Sequence, residues 1–209
     1  MKLNRITAIS LALLTTASAW AWGDSGHGAV MYIAYSHLNS SARVEVDRLV
    51  GLADDVRHRN LHMAAYWADE ARNDQNGPWH YINHHFRTDG KPVTMKPLSE
   101  NVVWAVNKFR REIKSQTLSH AKEAEAFRYL IHFVGDAHCP MHTIAKDSKE
   151  FPEGDRGGND FPIRPGNGLP DWNTNLHRVW DSGCGAFALP MRRWETGAGY
   201  AIRNLAKKI

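Results

Sequence analysis

The chain has 209 residues, which suits one domain with a sizeable core. Its 26 basic and 22 acidic side chains give a formal net charge of +4, and no polybasic run indicates a nucleic-acid-binding tail. This mild charge permits an anionic substrate but does not require one.

The first 21 residues have the three regions of an export signal. Lys2 and Arg5 make the start positive, residues 6–17 are apolar apart from Thr and Ser, and Ala-Trp-Ala before Trp22 is a small-x-small cleavage site. The apolar run is too short to span a membrane, and no later segment approaches the necessary length. We therefore expect a periplasmic or secreted protein without stable membrane association, which begins at Trp22 and carries a net charge lowered from +4 to +2.

From Trp22 onwards the chain is predicted to be mainly helical, because apolar side chains recur at spacings of three and four residues. One stripe runs from Ala29 to Leu38, and a second follows a cap at Ser40 or Ser41. Further helices are predicted over Leu61 to Asn73, from Ser99 to Ile113, from the N-cap Ser119 to a kink at Pro140, and over Asn175 to Asp181. The predicted fold class is a single all-α domain over residues 22–209.

Two long irregular regions interrupt these helices. Gln75 to Pro97 is rich in His, Gly and Pro, and Lys146 to Asn173 contains so many turn residues that we expect a loop with at most a short hairpin. Loops of this length in a compact helical domain usually serve a site.

Two helical His/Asp pairs indicate what that site could be. His132 and Asp136 are four residues apart on one predicted helix, and His177 and Asp181 repeat the spacing on another, so each pair shares a helix face. His142 follows just after the predicted kink. Imidazoles and carboxylates grouped in this way could bind one metal, or two metals that share a carboxylate. An ordinary hydrogen-bonded His/Asp pair is the alternative.

The two cysteines adjoin these candidate ligands. Cys139 lies near His142 in the sequence, and Cys184 lies near Asp181. In an exported protein we predict a disulfide between them, which would stabilise the fold by roughly 4 kcal/mol in the chain-entropy view. Free buried thiols and soft zinc ligands are the alternatives, although two cysteines alone do not make a CxxC-type zinc site.

Six short motifs, taken together, resemble the S1/P1 nuclease family. They appear in that family's order and spacing, which makes them strong evidence where one alone would be weak. The motifs are Trp22-Gly-x-x-Gly-His27, Trp67-Ala-Asp69-Glu-x-Arg72, His80-Tyr-Ile, Leu130-Ile-His132-Phe-Val-Gly-Asp136, Pro140-Met-His142 and Asn175-Leu-His177-x-x-Trp-Asp181. The resemblance implies a mainly helical fold of the phospholipase C/P1 nuclease type.

The resemblance also implies three zinc ions. Carried over position by position, their ligands form three sets: Asp69, His80, His132 and Asp136; the amino group and carbonyl of Trp22 with His27 and a bridging Asp136; and His142, His177 and Asp181. Nitrogen and oxygen sets that leave room for water are typical of catalytic rather than structural zinc. His84 and His85 are alternatives to His80, although the register of the motif favours His80.

The reaction implied by the resemblance is hydrolysis of single-stranded DNA and RNA to 5′-phosphates by a monomer, with 3′-nucleotidase activity left open. The carboxylate-bridged zinc pair would generate a hydroxide that attacks phosphorus, and the third zinc would neutralise the leaving 3′ oxygen.

Three further residues match positions of functional interest in the family. Arg72 matches a phosphate contact, with an ion pair to Asp69 as its alternative. Tyr81 matches an aromatic position on which a base can stack, which favours unpaired strands, and a core or rim tyrosine is its alternative. Asn83 stands where many family nucleases have an aspartate that orients the attacking water. With Asp69, Asp136 and Arg72 it makes up the predicted catalytic group.

Two other functions are considered. Zinc-dependent phospholipase C shares the fold and the trinuclear site, but its last ligand is usually a glutamate, so Asp181 favours a nuclease. A non-enzymatic zinc-binding protein is the second, and the filled ligand positions argue against it. The chain ends at Ile209, where the family usually continues with further helices, so we expect either a compact or a truncated member.

Overall fold

The computed structural model describes residues 22–164, 174–187 and 195–209, so the predicted export signal lies outside the described residues. The described part is mainly helical, which confirms the predicted fold class. None of its helices is long and apolar enough to cross a membrane. Its helices are α1 (Asp24–Ser36), α2 (Ser40–Gly51), α3 (Leu61–Glu70), α4 (Val102–Ser115), α5 (His120–Ala137), α6 (Pro140–Thr143), α7 (Leu176–Asp181) and α8 (Ala198–Ala206). Short 3₁₀ turns span Val56–His58 and Gly77–His80.

Helix α5 lies at the centre of the described fold, with α3 and α4 packed against it and α1 packed on α3. Two apolar clusters flank it. The first joins α3, α4 and α5 through Ala68, Ile82, Val102, Ala105, Phe109, Ala126, Tyr129 and Phe133. The second joins α1, α2, α3 and α5 through Met31, Leu49, Val50, Ala64, Ala65, Ala124 and Phe127. The polar residues near the C-terminal end of α5 are thus enclosed by packed helices.

Side-chain caps determine where the helices begin. Ser119 accepts the N–H of Lys122 and caps α5, as the sequence predicted. The cap of α2 is Asn39, whose Oδ1 accepts the N–H of Ala42, and not Ser40 or Ser41. Asn101 caps α4, so this helix begins at Val102 rather than at Ser99. Asparagine is as good an N-cap as serine, so Asn39 and Asn101 can cap these helices as well as the predicted serines could.

Helix α3 ends at Glu70, three residues before the predicted end at Asn73. The turn that follows is held by Asn76, whose Oδ1 accepts the N–H of Asn73 at 2.7 Å and whose Nδ2 donates to the Tyr129 hydroxyl at 3.1 Å. This buried asparagine fastens the start of the first long loop to α5 and directs the chain towards the 3₁₀ turn that ends at His80.

The two long loops are joined by a pair of parallel strands. β1 (His84–Phe86) in the first loop pairs with β2 (Ile144–Lys146) at the start of the second, with His84 opposite Ile144. The short hairpin allowed in the second loop agrees with an antiparallel bridge between Pro162 and Asn175, where the N–H of Ile163 donates to the carbonyl of Thr174 at 3.1 Å and the N–H of Leu176 donates to the carbonyl of Phe161 at 3.0 Å. Residues 165–173 lie outside the described part. The pairing continues one step before β1, where the N–H of Ile82 donates to the carbonyl of His142 at 2.7 Å.

Candidate metal centre

Five side chains of types that can bind a metal, from four elements, meet in the interior beside α5. His27 comes from α1, Asp69 from α3, His80 from the 3₁₀ turn, and His132 and Asp136 from α5. We call these five residues the first cluster. Each is at most 4% exposed, so no bulk water solvates the two carboxylates.

Asp136 stands between the imidazoles of the first cluster. Its Oδ2 lies 3.0 Å from His80 Nδ1 and 3.4 Å from His132 Nε2, whereas its Oδ1 lies 3.3 Å from His27 Nε2. Asp69 Oδ1 lies 3.4 Å from His132 Nε2 and 3.6 Å from His80 Nδ1. The two oxygens of Asp136 thus face two different groups of nitrogens, as a carboxylate shared by two cations does.

Neighbouring backbone orients the imidazoles of α1 and α5. His132 Nδ1 lies 2.8 Å from the carbonyl of Ala65, so a proton on Nδ1 leaves the lone pair of Nε2 for the cluster. The His27 ring stacks on His132 with centroids 3.9 Å apart. A Cβ at Gly135 would lie 2.9 Å from His27 Nδ1, so glycine is required there for the His27 ring to fit.

Several polar atoms of the first cluster are buried without a hydrogen-bond partner: Asp69 Oδ1 and Oδ2, Asp136 Oδ1 and His80 Nε2. Leaving one such group unsatisfied costs about 1–3 kcal/mol, and more when the group is charged. A divalent cation would compensate the carboxylate oxygens. The donor set therefore fits a metal, and zinc favours this mixture of imidazole and carboxylate.

The pKa values in the first cluster reflect the close packing of buried carboxyl and imidazole groups. Burial works to raise the pKa of Asp69 and of Asp136, but the neighbouring His132 holds the pKa of both carboxyls below the usual range. Burial lowers the pKa of His132, yet Asp136 and Asp69 outweigh it and raise that pKa to about 10. Without a metal, a proton on His132 offsets part of the carboxylate charge, and a bound metal would replace that proton.

A second cluster is formed by Cys139, His142, His177 and Asp181 on and beside α6 and α7. All four are buried. The Nε2 atoms of the two histidines are 3.0 Å apart, and His177 Nε2 lies 3.4 Å from Asp181 Oδ2. Cys139, His142 and Asp181 offer donor atoms that all lie within 4.8 Å of one another.

Backbone carbonyls orient both histidines of the second cluster. His142 Nδ1 lies 2.6 Å from the carbonyl of His80, and His177 Nδ1 lies 2.7 Å from the carbonyl of Gly157. Burial lowers the pKa of His142 to about 3, and burial also lowers the pKa of His177. Both rings are therefore neutral, which is the form that binds metals, and their Nε2 lone pairs face each other.

Asp181 and Cys139 complete the second cluster. Burial, followed by the charges of Asp136 and Asp69, raises the pKa of Asp181 to about 9. The Sγ of Cys139 lies 3.8 Å from Asp181 Oδ1, and burial raises the pKa of the thiol to about 12. Cys184 is exposed on the turn after α7, and both cysteines are free. The predicted disulfide is therefore absent from the structure, because the side chain of Cys139 points into the second cluster instead.

Trp22 lies between the two clusters. Its indole Nε1 donates to the carbonyl of Gly135 at 3.0 Å, and its ring packs against Phe187 with centroids 5.4 Å apart. The next residue, Gly23, donates its N–H to the carbonyl of Asp181 at 2.9 Å. These contacts fasten the start of the described chain to both α5 and α7.

The other predicted residues are distributed around the two clusters. Arg72 is half-buried just after α3, close enough to His177 to help lower the pKa of that ring after the larger effects of burial. Neither oxygen of Asp69 has a hydrogen-bond partner, and the alternative role of Arg72, an ion pair with Asp69, stays a prediction. Tyr81 and Asn83 are half-buried on the segment that leaves His80.

The two alternatives to His80 lie outside both clusters. His84 is exposed in β1, and His85 Nδ1 lies 2.6 Å from Asp147 Oδ1. The sequence favours a disulfide for Cys139, with a soft zinc ligand as one alternative. Its position three residues before His142, across a helix start at Pro140, was the signal that could have assigned it to the cluster.

Comparison with known proteins gives one consistent family. The profile described as S1/P1 Nuclease matches residues 22–209. Endonuclease 3 of Arabidopsis thaliana is 29% identical over 189 residues, which cover 85% of this chain and 60% of that protein. Nuclease P1 of Penicillium citrinum is 27% identical over 169 residues, which cover 77% of this chain and 57% of that protein. Nuclease S1 of Aspergillus oryzae is 25% identical over 190 residues, which cover 85% of this chain and 60% of that protein.

The chain spans about three fifths of the length of these curated relatives. The match of the family profile runs through both clusters and covers most of the chain, from Trp22 to Ile209. The chain therefore belongs to the S1/P1 nuclease family.

Proposed function

We propose that this protein is a zinc-dependent nuclease that hydrolyses single-stranded DNA and RNA to 5′-phosphates, with 3′-nucleotidase activity on small substrates. The observation that carries the proposal is the pair of buried donor clusters beside α5, in which carboxylate oxygens have no hydrogen-bond partner. The proposal is supported by the relatives named nuclease or endonuclease.

The proposed ligands divide the two clusters into three zinc sites. One site takes Asp69, His80, His132 and Asp136, and a second takes His27, Asp136 and the terminal amine and carbonyl of Trp22. The third takes His142, His177 and Asp181. When bound, zinc supplies Lewis-acid charge that activates water and neutralises phosphate oxygens.

The chain's own residues would hold and orient the substrate. Arg72 carries a charge near His177 and is proposed to contact the phosphate, for which the planar guanidinium is well suited. Tyr81 is proposed to stack on a base of an unpaired strand. The amide of Asn83 would orient the attacking water by a hydrogen bond. Burial of the clusters strengthens every electrostatic interaction within them.

The amine of Trp22 exists only after residues 1–21 are removed. Because the second zinc site would use this amine, the metal centre would be completed only when the export signal is cleaved. We propose that residues 1–21 are an export signal, that residues 22–209 form the catalytic domain as a monomer, and that the protein acts in the periplasm or outside the cell. The contacts of Trp22 with Gly135 and of Gly23 with Asp181 support this role for the new terminus.

The test is hydrolysis of single-stranded DNA and RNA by protein that begins at Trp22, with zinc and again after chelation. A matched preparation with one additional N-terminal Met supplies the control for the terminal amine. We expect activity that is lost on chelation and falls at least tenfold in the extended protein. A folded, zinc-loaded protein that cleaves phospholipid but not nucleic acid would instead be a phospholipase C, and one that turns over neither would be a zinc-binding protein.

A further inference from the structure

We propose that Cys139 is a zinc ligand through its thiolate, and that it belongs to the same site as His142, His177 and Asp181. This inference rests on the metal centre of the proposed function, but it does not depend on nuclease activity. The third site would then contain a sulfur ligand in addition to its nitrogen and oxygen ligands.

The backbone holds Cys139 between the two clusters. Its N–H donates to the carbonyl of Asp136 at 2.9 Å, and its own carbonyl accepts the N–H of His142 at 2.9 Å. Cys139 is the N-cap residue of α6 and has an extended backbone. The side chain is fully buried and its Sγ approaches Asp181 Oδ1 at 3.8 Å.

Two pairs of donors in the second cluster are spaced as two ligands of a zinc ion are, one pair at each oxygen of Asp181. Zinc binds thiolate sulfur at about 2.3 Å and carboxylate oxygen at about 2.1 Å, so two such ligands lie about 3.6 Å apart. The distance from Cys139 Sγ to Asp181 is 3.8 Å. A nitrogen and an oxygen ligand are expected about 3.4 Å apart, and His177 Nε2 lies 3.4 Å from Asp181 Oδ2.

A buried thiol that only donates a weak hydrogen bond to Asp181 is the ordinary alternative, since free cysteines are commonly buried. The surroundings of Cys139 argue for a ligand instead. Its neighbours in the cluster are two imidazoles whose Nδ1 atoms lie against backbone carbonyls and whose Nε2 atoms lie 3.0 Å apart, which is unfavourable unless a proton or a cation lies between them. Of these two histidines, His142 has a ring nitrogen within 4.8 Å of both Cys139 Sγ and an oxygen of Asp181, so a cation bound at His142 would lie near the sulfur.

A thiolate ligand would change the character of the third site. With Cys139 the proposed third site would have four protein ligands, so a phosphate oxygen would enter it as a fifth ligand. The thiolate adds a negative charge beside Asp181 and reduces the net positive charge that a bound zinc presents to phosphate. We therefore expect the third site of this protein to retain its metal more strongly than a site without the thiol.

The experiment uses cobalt(II) as a spectroscopic substitute for zinc, in protein that begins at Trp22 and carries Cys184→Ser. Cys184 is exposed and outside the clusters, so Cys139 becomes the single thiol of the mature chain. Cobalt is titrated to saturation, and bound metal is counted by elemental analysis. We expect a thiolate-to-cobalt charge-transfer band in the near ultraviolet, which imidazole and carboxylate ligands do not produce.

Two variants locate that band within the molecule. Cys139→Ser is expected to abolish it and to weaken binding of one cobalt ion about tenfold or more, since even outer-shell changes cost that much. His177→Ala removes a different ligand of the same site, and it is expected to lose the band together with one ion while keeping the thiol.

The outcomes separate this inference from the metal centre itself. Cobalt bound at saturation without a thiolate band in the Cys184→Ser protein would overturn the role of Cys139 and leave the other ligands in place. Folded protein that binds no cobalt would contradict the metal centre and this inference together. The Cys184→Ser protein retains Cys139, so its spectrum tests this inference even if the Cys139→Ser variant fails to fold.

Discussion

Asp136 is the residue on which the first cluster depends most. It is fully buried, and its two oxygens face His27 on one side and His80 and His132 on the other. No other carboxylate in the described residues has imidazoles so placed on both oxygens. Such a residue carries charge that a cation must balance, and an amide of the same size cannot replace that charge.

We predict that Asp136→Asn removes the two metal sites that share this carboxylate. Metal content, measured by elemental analysis after dialysis, is expected to fall from three ions to one. Activity on single-stranded DNA is expected to fall by about a thousandfold or more, because zinc contributes several kcal/mol of charge stabilisation.

A matched control is available for that change. Asp147 is also a buried carboxylate beside a histidine, His85, but it lies outside both clusters. Asp147→Asn is expected to keep the full metal content. If it lost as many ions as Asp136→Asn, the effect would be one of folding rather than of ligation.

At the level of elements, the second cluster depends on how a loop crosses α6. Gly157 has a φ of +64°, and a Cβ there would lie 2.0 Å from the carbonyl oxygen of Met141. The same residue supplies the carbonyl that orients His177 at 2.7 Å. A larger residue at position 157 would therefore displace the loop and move the carbonyl that orients His177.

We predict that Gly157→Ala lowers the free energy of unfolding by more than about 2 kcal/mol, as strain and a backbone clash add together. Denaturant unfolding of the metal-free protein measures this. Gly90→Ala is the control, because Gly90 has a φ of +72° with no atom within 4 Å of the added Cβ. That change should cost only about 1–2 kcal/mol. Equal losses from the two changes would rule out the clash with Met141.

Across the described molecule, the proposed metal centre joins elements that are distant in sequence. The first cluster links α1, α3, the 3₁₀ turn at His80 and α5, and the second links α6 to α7. The two meet where the carbonyl of His80 accepts a hydrogen bond from His142. An unfolded chain cannot hold these ligands together, so metal binding is also folding free energy.

We predict that chelation lowers the melting temperature of the whole domain. A ligand present at a thousand times its Kd stabilises the folded state by about 4 kcal/mol per site, and removing it reverses that gain. Scanning calorimetry with and without a chelator measures the shift. The Asp136→Asn variant should show a smaller shift, because it retains only one of the three sites. Identical melting with and without chelator would contradict a metal that is part of the fold.

Features confined to one helix could be read from the sequence. The pairs His132/Asp136 and His177/Asp181 share a face because four residues make about one helical turn, and Ser119 caps α5 through a contact three residues away. The six motifs contain all the predicted ligands, and the structure brings the histidine and aspartate side chains among them together from separate elements, while their role as ligands stays a prediction.

Other features were decided only by the tertiary structure. The register of the motif favoured His80 for the cluster, but the sequence could not determine that His85 pairs with Asp147, or that Cys139 approaches Asp181 and not Cys184. Nor could it predict that β1 and β2 join the two loops in parallel. Helical periodicity and caps arise from neighbours within one turn. The partners of a buried histidine or thiol depend instead on which distant segments pack around it and supply its hydrogen bonds.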